Sequence, residues 1–342
     1  MGARRVVGRL GKIALAVVGL GVLAGGGGLG YLAVAKPDSR PPSTEVVERT
    51  PERLARGAYL VEHLLPCVGC HSEHDVTHFD APVIGGKAAG GFVFDRTLGL
   101  PGVVQPPNLT PDPETGTGTF TDGELARAIR EGIGRDGRAL FPMMPYQDFR
   151  VMSDEDLRAV IAYLRTMPPV RKKTAPVQLD FPVSLFIRTA PAPVEGPVAA
   201  PDPTRDALAY GGYLVKLAGC HGCHTAMGAR GQTLPGQDFA GGREFPMTWE
   251  GGKLGPRVVT ANITPDPTGY FGHTTREAWI TRVRAYATVR DEPPAMVPGT
   301  NTLMPWIAFS GLTERDLGAI YDFMKTVRPV RAVVNSFPDA PR

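Results

Sequence analysis

Cys67-Val68-Gly69-Cys70-His71 and Cys220-His221-Gly222-Cys223-His224 use every cysteine in this 342-residue chain. Each is a C-x-x-C-H, the attachment signature of a c-type haem. Two thiols at that spacing add across the two vinyl groups of one porphyrin, and the histidine that follows reaches the iron from the proximal side. Cys67, Cys70, Cys220 and Cys223 are therefore expected to bind two covalent haems c, with His71 and His224 as iron ligands. A zinc ribbon would separate its cysteine pairs by about 15 to 20 residues, whereas roughly 150 lie between these. A thioredoxin-like site expects one C-x-x-C beside a βαβ pattern, which neither copy has.

The halves match well beyond the pentapeptides. Arg56-Gly57-Ala58-Tyr59-Leu60-Val61 precedes the first and Tyr210-Gly211-Gly212-Tyr213-Leu214-Val215 the second. Downstream, Asn108-Leu109-Thr110-Pro111-Asp112-Pro113 is answered by Asn262-Ile263-Thr264-Pro265-Asp266-Pro267, and the segment around Met144-Pro145-Tyr146 by Met304-Pro305-Trp306. The offset is 153 at the cysteines, 154 at the asparagines and 160 at the methionines. An unchanged order with small drifts is the mark of a tandem duplication.

Helix signals recur in the same order. Thr50-Pro51 opens a helix with Leu54, Ala58, Val61 and Leu65 on one face, ending at Pro66. Capping pairs Thr121/Glu124 and Ser153/Asp156 start two more, the last carrying Leu157, Val160, Ile161 and Leu164. In the second half Thr274/Glu277 and Thr313/Asp316 predict the same two starts. The fold class is therefore all-α, with short helices and long loops.

Among ten methionines, most would serve as adaptable packing, but Met144 and Met304 align in the repeat and each precedes a proline and an aromatic residue. They are the expected sixth ligands, since a thioether suits haem iron and His/Met coordination raises the reduction potential. Met143 competes with Met144, and the repeat selects Met144 because Leu303 stands at the equivalent of Met143. His74, Asp75 and His78 resemble a metal cluster, yet no such group follows Cys223, so a surface loop is expected. His63 and His221 read as solvated or propionate-side residues, and His273 as an unpromising rival to Met304. Tyr59, Tyr213, Asn108 and Asn262 are candidates either for bonds around the haem or for loop structure.

Arg4, Arg5, Arg9 and Lys12 precede an uncharged stretch, residues 13–35, long enough to span a bilayer. The basic flank predicts a cytoplasmic residues 1–12 and export of everything after Lys36. Ala33-Val34-Ala35 looks like a signal cleavage site, but the apolar run exceeds a signal-peptide core, favouring a retained anchor. Without the four basic residues of this segment, 33 basic residues face 34 acidic ones. A near-neutral domain lacks the footprint of nucleic-acid binding. Glycine and proline make up about 22% of the chain, below the range that suggests low-complexity disorder.

Residues 51 to 333 resemble the multihaem cytochrome c subunits of membrane-bound bacterial alcohol, aldehyde and gluconate dehydrogenases. The resemblance is carried by Asn108-Leu109-Thr110-Pro111-Asp112-Pro113-Glu114-Thr115-Gly116, by residues 141–146 with Met144 as sulfur donor, and by Ser153-Asp154-Glu155-Asp156-Leu157. Leu179-Asp180-Phe181-Pro182-Val183 with Ile187-Arg188 matches the family's linker. It implies two tandem class I cytochrome c domains, residues 51–172 and 204–333, after the anchor and a spacer at 36–50. A proline-rich linker at 173–203 is expected to run extended and pack across both domains, and 334–342 is a tail. The implied partners are a dehydrogenase catalytic subunit or other redox donor, and an acceptor cytochrome, oxidase or quinone. The implied location is the inner membrane, with the haem domains on the periplasmic side. The usual members carry three haem domains; this chain has two motifs.

Three functions then compete: a membrane-anchored dihaem electron carrier, a dihaem redox enzyme of peroxidase or sulfur-compound oxidase type with one open iron, and a sensor or structural haem module. A methionine for each sixth position favours the carrier, and no phosphate loop, nucleophile elbow or further metal motif points elsewhere.

Overall fold

A computed structural model of the chain describes residues 2–228, 231–248 and 253–341. The first helix, α1 (Gly2–Val34), is longer than the expected anchor, running from the basic segment through the glycines without a break. At 1.5 Å per residue it measures about 50 Å, and Val17–Val34 is long and apolar enough to cross a membrane. The side chains of Arg4, Arg5, Arg9 and Lys12 lie outside the described residues. Residues 36–50 run along the first half. The Val47 amide donates to Asp122 Oδ2 at 2.9 Å, and Arg40 pairs with Glu131 at 2.7 Å.

The first half contains α2 (Pro51–Tyr59), α3 (Cys67–Cys70), α4 (Asp122–Glu131), α5 (Tyr146–Phe149) and α6 (Asp154–Leu164). After α7 (Val183–Phe186), the second half contains α8 (Ala207–Leu217), α9 (Cys220–Cys223), α10 (Tyr270–His273), α11 (Arg276–Ala285), α12 (Trp306–Phe309) and α13 (Glu314–Met324). The caps at Thr50, Thr121, Ser153 and Thr313 form as expected, Thr121 and Glu124 making both bonds of the capping box. One start shifts: α11 is capped by Thr275, whose hydroxyl accepts from the Ala278 amide, and Thr274 lies one residue before it, its carbonyl accepting from the Tyr321 hydroxyl. The chain is mostly helical, with few strands. Among the described residues three two-stranded antiparallel ribbons close the loops: β1 (Glu73–His74) with β2 (Val83–Ile84), β3 (Gly102–Val103) with β4 (Gln178–Leu179), and β5 (Glu244–Pro246) with β6 (Arg257–Val259). Ladders this short satisfy loop backbone groups that would otherwise be buried without partners.

In each half the first long helix crosses the last one, α2 on α6 and α8 on α13. A glycine makes the crossing possible. A Cβ at Gly57 would lie 2.0 Å from the Ala159 carbonyl oxygen, and one at Gly211 would lie 2.0 Å from that of Ala319. The close approach buries Leu60, Val61, Leu64, Val160 and Ile161 on one side and Leu214, Leu217, Leu317 and Met324 on the other, within one continuous hydrophobic core. Between Tyr59 and Cys67 the first half has one residue more than the second has between Tyr213 and Cys220. The extra residue is absorbed at Leu60–Leu64, a turn of wider π-type bonding in which the Leu65 amide reaches back to the Leu60 carbonyl.

The halves are joined by exchanged tyrosines. Tyr213 from α8 donates its hydroxyl to Asp156 Oδ2 at 2.6 Å and accepts from the Ser153 amide at 3.1 Å, at the start of α6. Tyr59 from α2 does the same at α13, with Asp316 Oδ2 at 2.6 Å and the Thr313 amide at 3.1 Å. Arg56 grips Asp156 through both carboxylate oxygens, at 2.7 and 2.9 Å. Burial first, then the neighbouring carboxylate, holds both phenols well above the usual tyrosine range. Linker residues 173–203 bond mainly to the first half, the Asp154 amide to the Val198 carbonyl and the Val194 amide to Glu131. Arg188 donates to the Ala33 carbonyl at the end of α1 at 2.7 Å.

Replacing Gly57 or Gly211 by valine is expected to destabilise the fold by at least about 1–3 kcal/mol, the cost of overpacking a close crossing, read as a lowered denaturant midpoint. Tyr59→Phe and Tyr213→Phe are each expected to cost about 1–3 kcal/mol by orphaning a helix-start amide and taking one hydrogen bond from a buried carboxylate, measured the same way.

Candidate haem sites

Both C-x-x-C-H motifs form one helical turn, α3 and α9, which puts the two thiols of each on one face. The amide of His71 donates to the Cys67 carbonyl at 2.9 Å and that of His224 to the Cys220 carbonyl at 2.8 Å. Each histidine carbonyl then takes a distant amide, Gly90 on His71 at 2.7 Å and Gly241 on His224 at 2.8 Å. The imidazoles are oriented alike. Nδ1 of His71 donates to the Pro107 carbonyl at 2.7 Å, and Nδ1 of His224 to the Ala261 carbonyl at 2.8 Å. With Nδ1 carrying the proton, Nε2 keeps its lone pair and could ligate a metal. Burial lowers both imidazole pKa values, the carbonyl bond opposing it, so the neutral ring a metal requires is favoured.

Pro107 and Ala261 were not singled out by the sequence reading. Their signal was their place, directly before the repeated asparagines. Asn108 Oδ1 accepts from the Thr110 amide at 2.9 Å and hydroxyl at 2.7 Å, while its Nδ2 donates to the Val170 carbonyl at 2.8 Å. Asn262 repeats this with Thr264 at 2.9 and 2.8 Å and with Val330 at 2.8 Å. These asparagines fasten the loop whose preceding carbonyl aims the histidine. Tyr59 and Tyr213, candidates for the haem surroundings, belong instead to the seam between the halves.

Met144 and Met304 pack against the hydrophobic core, as do Cys67 and Cys220. Met143 is absent from that packing and Leu303 is 45% exposed, which separates Met144 from its neighbour. Burial pushes the Cys67 and Cys220 thiols up to about 12. The Cys70 thiol stands at about 11, raised by burial and then by the charge of Cys223 in the other half. A cavity of about 410 Å³ lies between the halves, lined by Leu98, Met227, Gly242, Arg243 and Glu244. Three spare histidines have partners in their own half: His74 lies between the Ala81 and Gly69 carbonyls, His78 pairs with Asp75, and His221 with Asp238, while His63 reaches across to the Ala308 carbonyl of the other half.

The family model for cytochrome c matches residues 54–168. A protein described as a diheme cytochrome c-type from Cereibacter sphaeroides is 30% identical over 58% of this chain and 70% of its own length. The chain belongs to the cytochrome c family. The cytochrome is also 30% identical to the cytochrome c subunit of an alcohol dehydrogenase (quinone) from Gluconacetobacter polyoxogenes, over 80% of this chain. It is 35% identical to one of the subunits of a nicotinate dehydrogenase from Pseudomonas putida, over 65% of this chain. It spans 56% of the first of these two relatives and 18% of the second. Membership implies covalently bound haem c and a role in electron transfer. The residues present fit that group: paired thiols on one turn, a carbonyl-oriented neutral imidazole beside them, and a buried Tyr146 hydroxyl without a protein partner two residues after Met144.

Asn108→Ala and Asn262→Ala are each expected to cost about 1–3 kcal/mol, because they orphan buried backbone groups, and to loosen the histidine carbonyl clamp. The check is haem absorbance followed through denaturant unfolding.

Proposed function

We propose that this cytochrome carries two haems c, one on Cys67 and Cys70 with His71 and Met144 as axial ligands, the other on Cys220 and Cys223 with His224 and Met304. It relays electrons by outer-sphere transfer between a dehydrogenase catalytic subunit, or another donor, and the respiratory chain, through an acceptor cytochrome, an oxidase or quinone. Helix α1 anchors it in the inner membrane with both haem domains on the periplasmic side. The observation that carries the reading is the repetition of one constellation in both halves, thiol pair, carbonyl-oriented imidazole and core-packed methionine in the same order.

When bound, the haem supplies a one-electron couple. The chain's own residues hold and tune it. Pro107 and Ala261 fix the tautomer and ring orientation of the two histidines, strengthening them as ligands. Met144 and Met304 would each offer a thioether to the haem, which would leave no open position for a substrate. The exchanged tyrosines hold the two halves in one arrangement, which supports direct transfer between them. The names of the relatives support a dehydrogenase donor, since they describe subunits of alcohol and nicotinate dehydrogenases.

Paramagnetic resonance and visible spectra of the oxidised protein test the reading. Two low-spin haems are expected, with Met144→Ala and Met304→Ala each converting one to high spin and lowering its potential. A high-spin iron in the unmutated protein, or reaction with peroxide, would replace the carrier by a dihaem enzyme with an open site.

A further inference from the structure

Residues 75–81 follow the first motif and reach into the other half. Asn301, buried, donates through Nδ2 to the carbonyls of Val76 at 2.8 Å and His78 at 2.7 Å. The Met296 amide donates to the Thr77 carbonyl and the Phe79 amide to the Pro294 carbonyl, both at 2.8 Å. On the far side of the methionine, the Ile307 amide donates to Asp80 Oδ2 at 2.7 Å, with the Trp306 amide beside it. Met304 is thus bracketed by bonds at Asn301 and Ile307, both made to the first half. Aromatic rings fill the space between: Phe79 stacks on Tyr286 at 5.3 Å, and Tyr286 on Trp306 at 5.1 Å.

The loop is held in a costly shape. Asp80 and Ala81 have φ of 61° and 46°, left-handed values that non-glycine residues keep only where the surroundings over-determine them. His78 paired with Asp75 and His74 on the Ala81 carbonyl supply that constraint. His74 also meets the Gly69 carbonyl, tying the loop to the first attachment turn. Burial pushes the Asp80 carboxyl up to about 7 against the pull of its two amide donors. Met144 is framed differently, by bonds of its own half: the Leu140 amide to the Gly132 carbonyl and the Met144 amide to the Phe141 carbonyl.

We propose that residues 75–81 clamp the Met304 loop in its ligating position, with Asp80 as the positioning residue. The inference rests on the reading of Met304 as an axial ligand. A thioether binds weakly, so its occupancy depends on how little freedom its loop loses when it ligates. Fastening both flanks from outside lowers that loss, and because the fastener begins at the first haem motif, sulfur ligation in the second half depends on the integrity of the first.

The test uses the full-length haem-loaded protein in a Met144→His background, where sulfur-to-iron charge-transfer absorption can come only from Met304. Asp80→Ala is expected to weaken that band and lower the potential of the second haem alone, and Asp80→Asn, which keeps an acceptor oxygen, to restore both. Asn301→Ala releases the other flank with Asp80 intact and is expected to act in the same direction, giving a second arm should Asp80→Ala not fold. A band and potential that ignore Asp80→Ala and Asn301→Ala overturn the clamp. A band that is missing, or that survives Met304→Ala, overturns the ligand reading beneath it.

Discussion

Everything in this cytochrome is hung on two helix crossings in which a glycine backbone touches a carbonyl oxygen. Gly57 on Ala159 and Gly211 on Ala319 bring helices closer than any side chain would allow. The residues that follow on each first helix then become the core. The attachment turn lies one short segment beyond, so its thiols and histidine inherit their position from the crossing. A well-packed interior resists displacement, which is what a metal ligand set at fixed distances requires.

The second constraint is the exchange of tyrosine hydroxyls. A capping box ordinarily returns the third helical residue's side chain to the cap amide. Here Asp156 and Asp316 face the other half, and a tyrosine from that half takes over the amide while donating to the carboxylate. A buried carboxylate without such partners would be strongly destabilising. Each half therefore completes the last helix of the other, and the halves meet through paired bonds. The halves differ in the loop after His71, in the π-type turn at Leu60–Leu64 that takes up one extra residue, and at Arg56, which grips Asp156 where the second half has Tyr210.

Most helix starts were legible because caps and proline act locally: Thr50-Pro51, Thr121, Ser153 and Thr313 signal with neighbours three residues away. Thr275 caps α11 in place of its neighbour Thr274, two adjacent threonines between which the local pattern does not choose. The strands were illegible for a similar reason, being two- or three-residue ladders between loops. Tyr59 and Tyr213 were visible as repeats, but a repeat cannot say whether its partner is a cofactor or the sister domain. His74, Asp75 and His78, which looked like an idle polar cluster, belong to the loop that grips the second half.

The sequence by itself determined the motifs and their order: two C-x-x-C-H pentapeptides, and an internal repetition that aligns Met144 with Met304. It also determined the local helices, whose signals lie within a turn or two of one another. Tertiary structure decided which carbonyls orient His71 and His224, which half completes each helix start, and which loop holds Met304. Those contacts join residues dozens to hundreds of positions apart, and a bond between distant residues leaves no periodicity to read; it exists only once close packing has brought the two ends together.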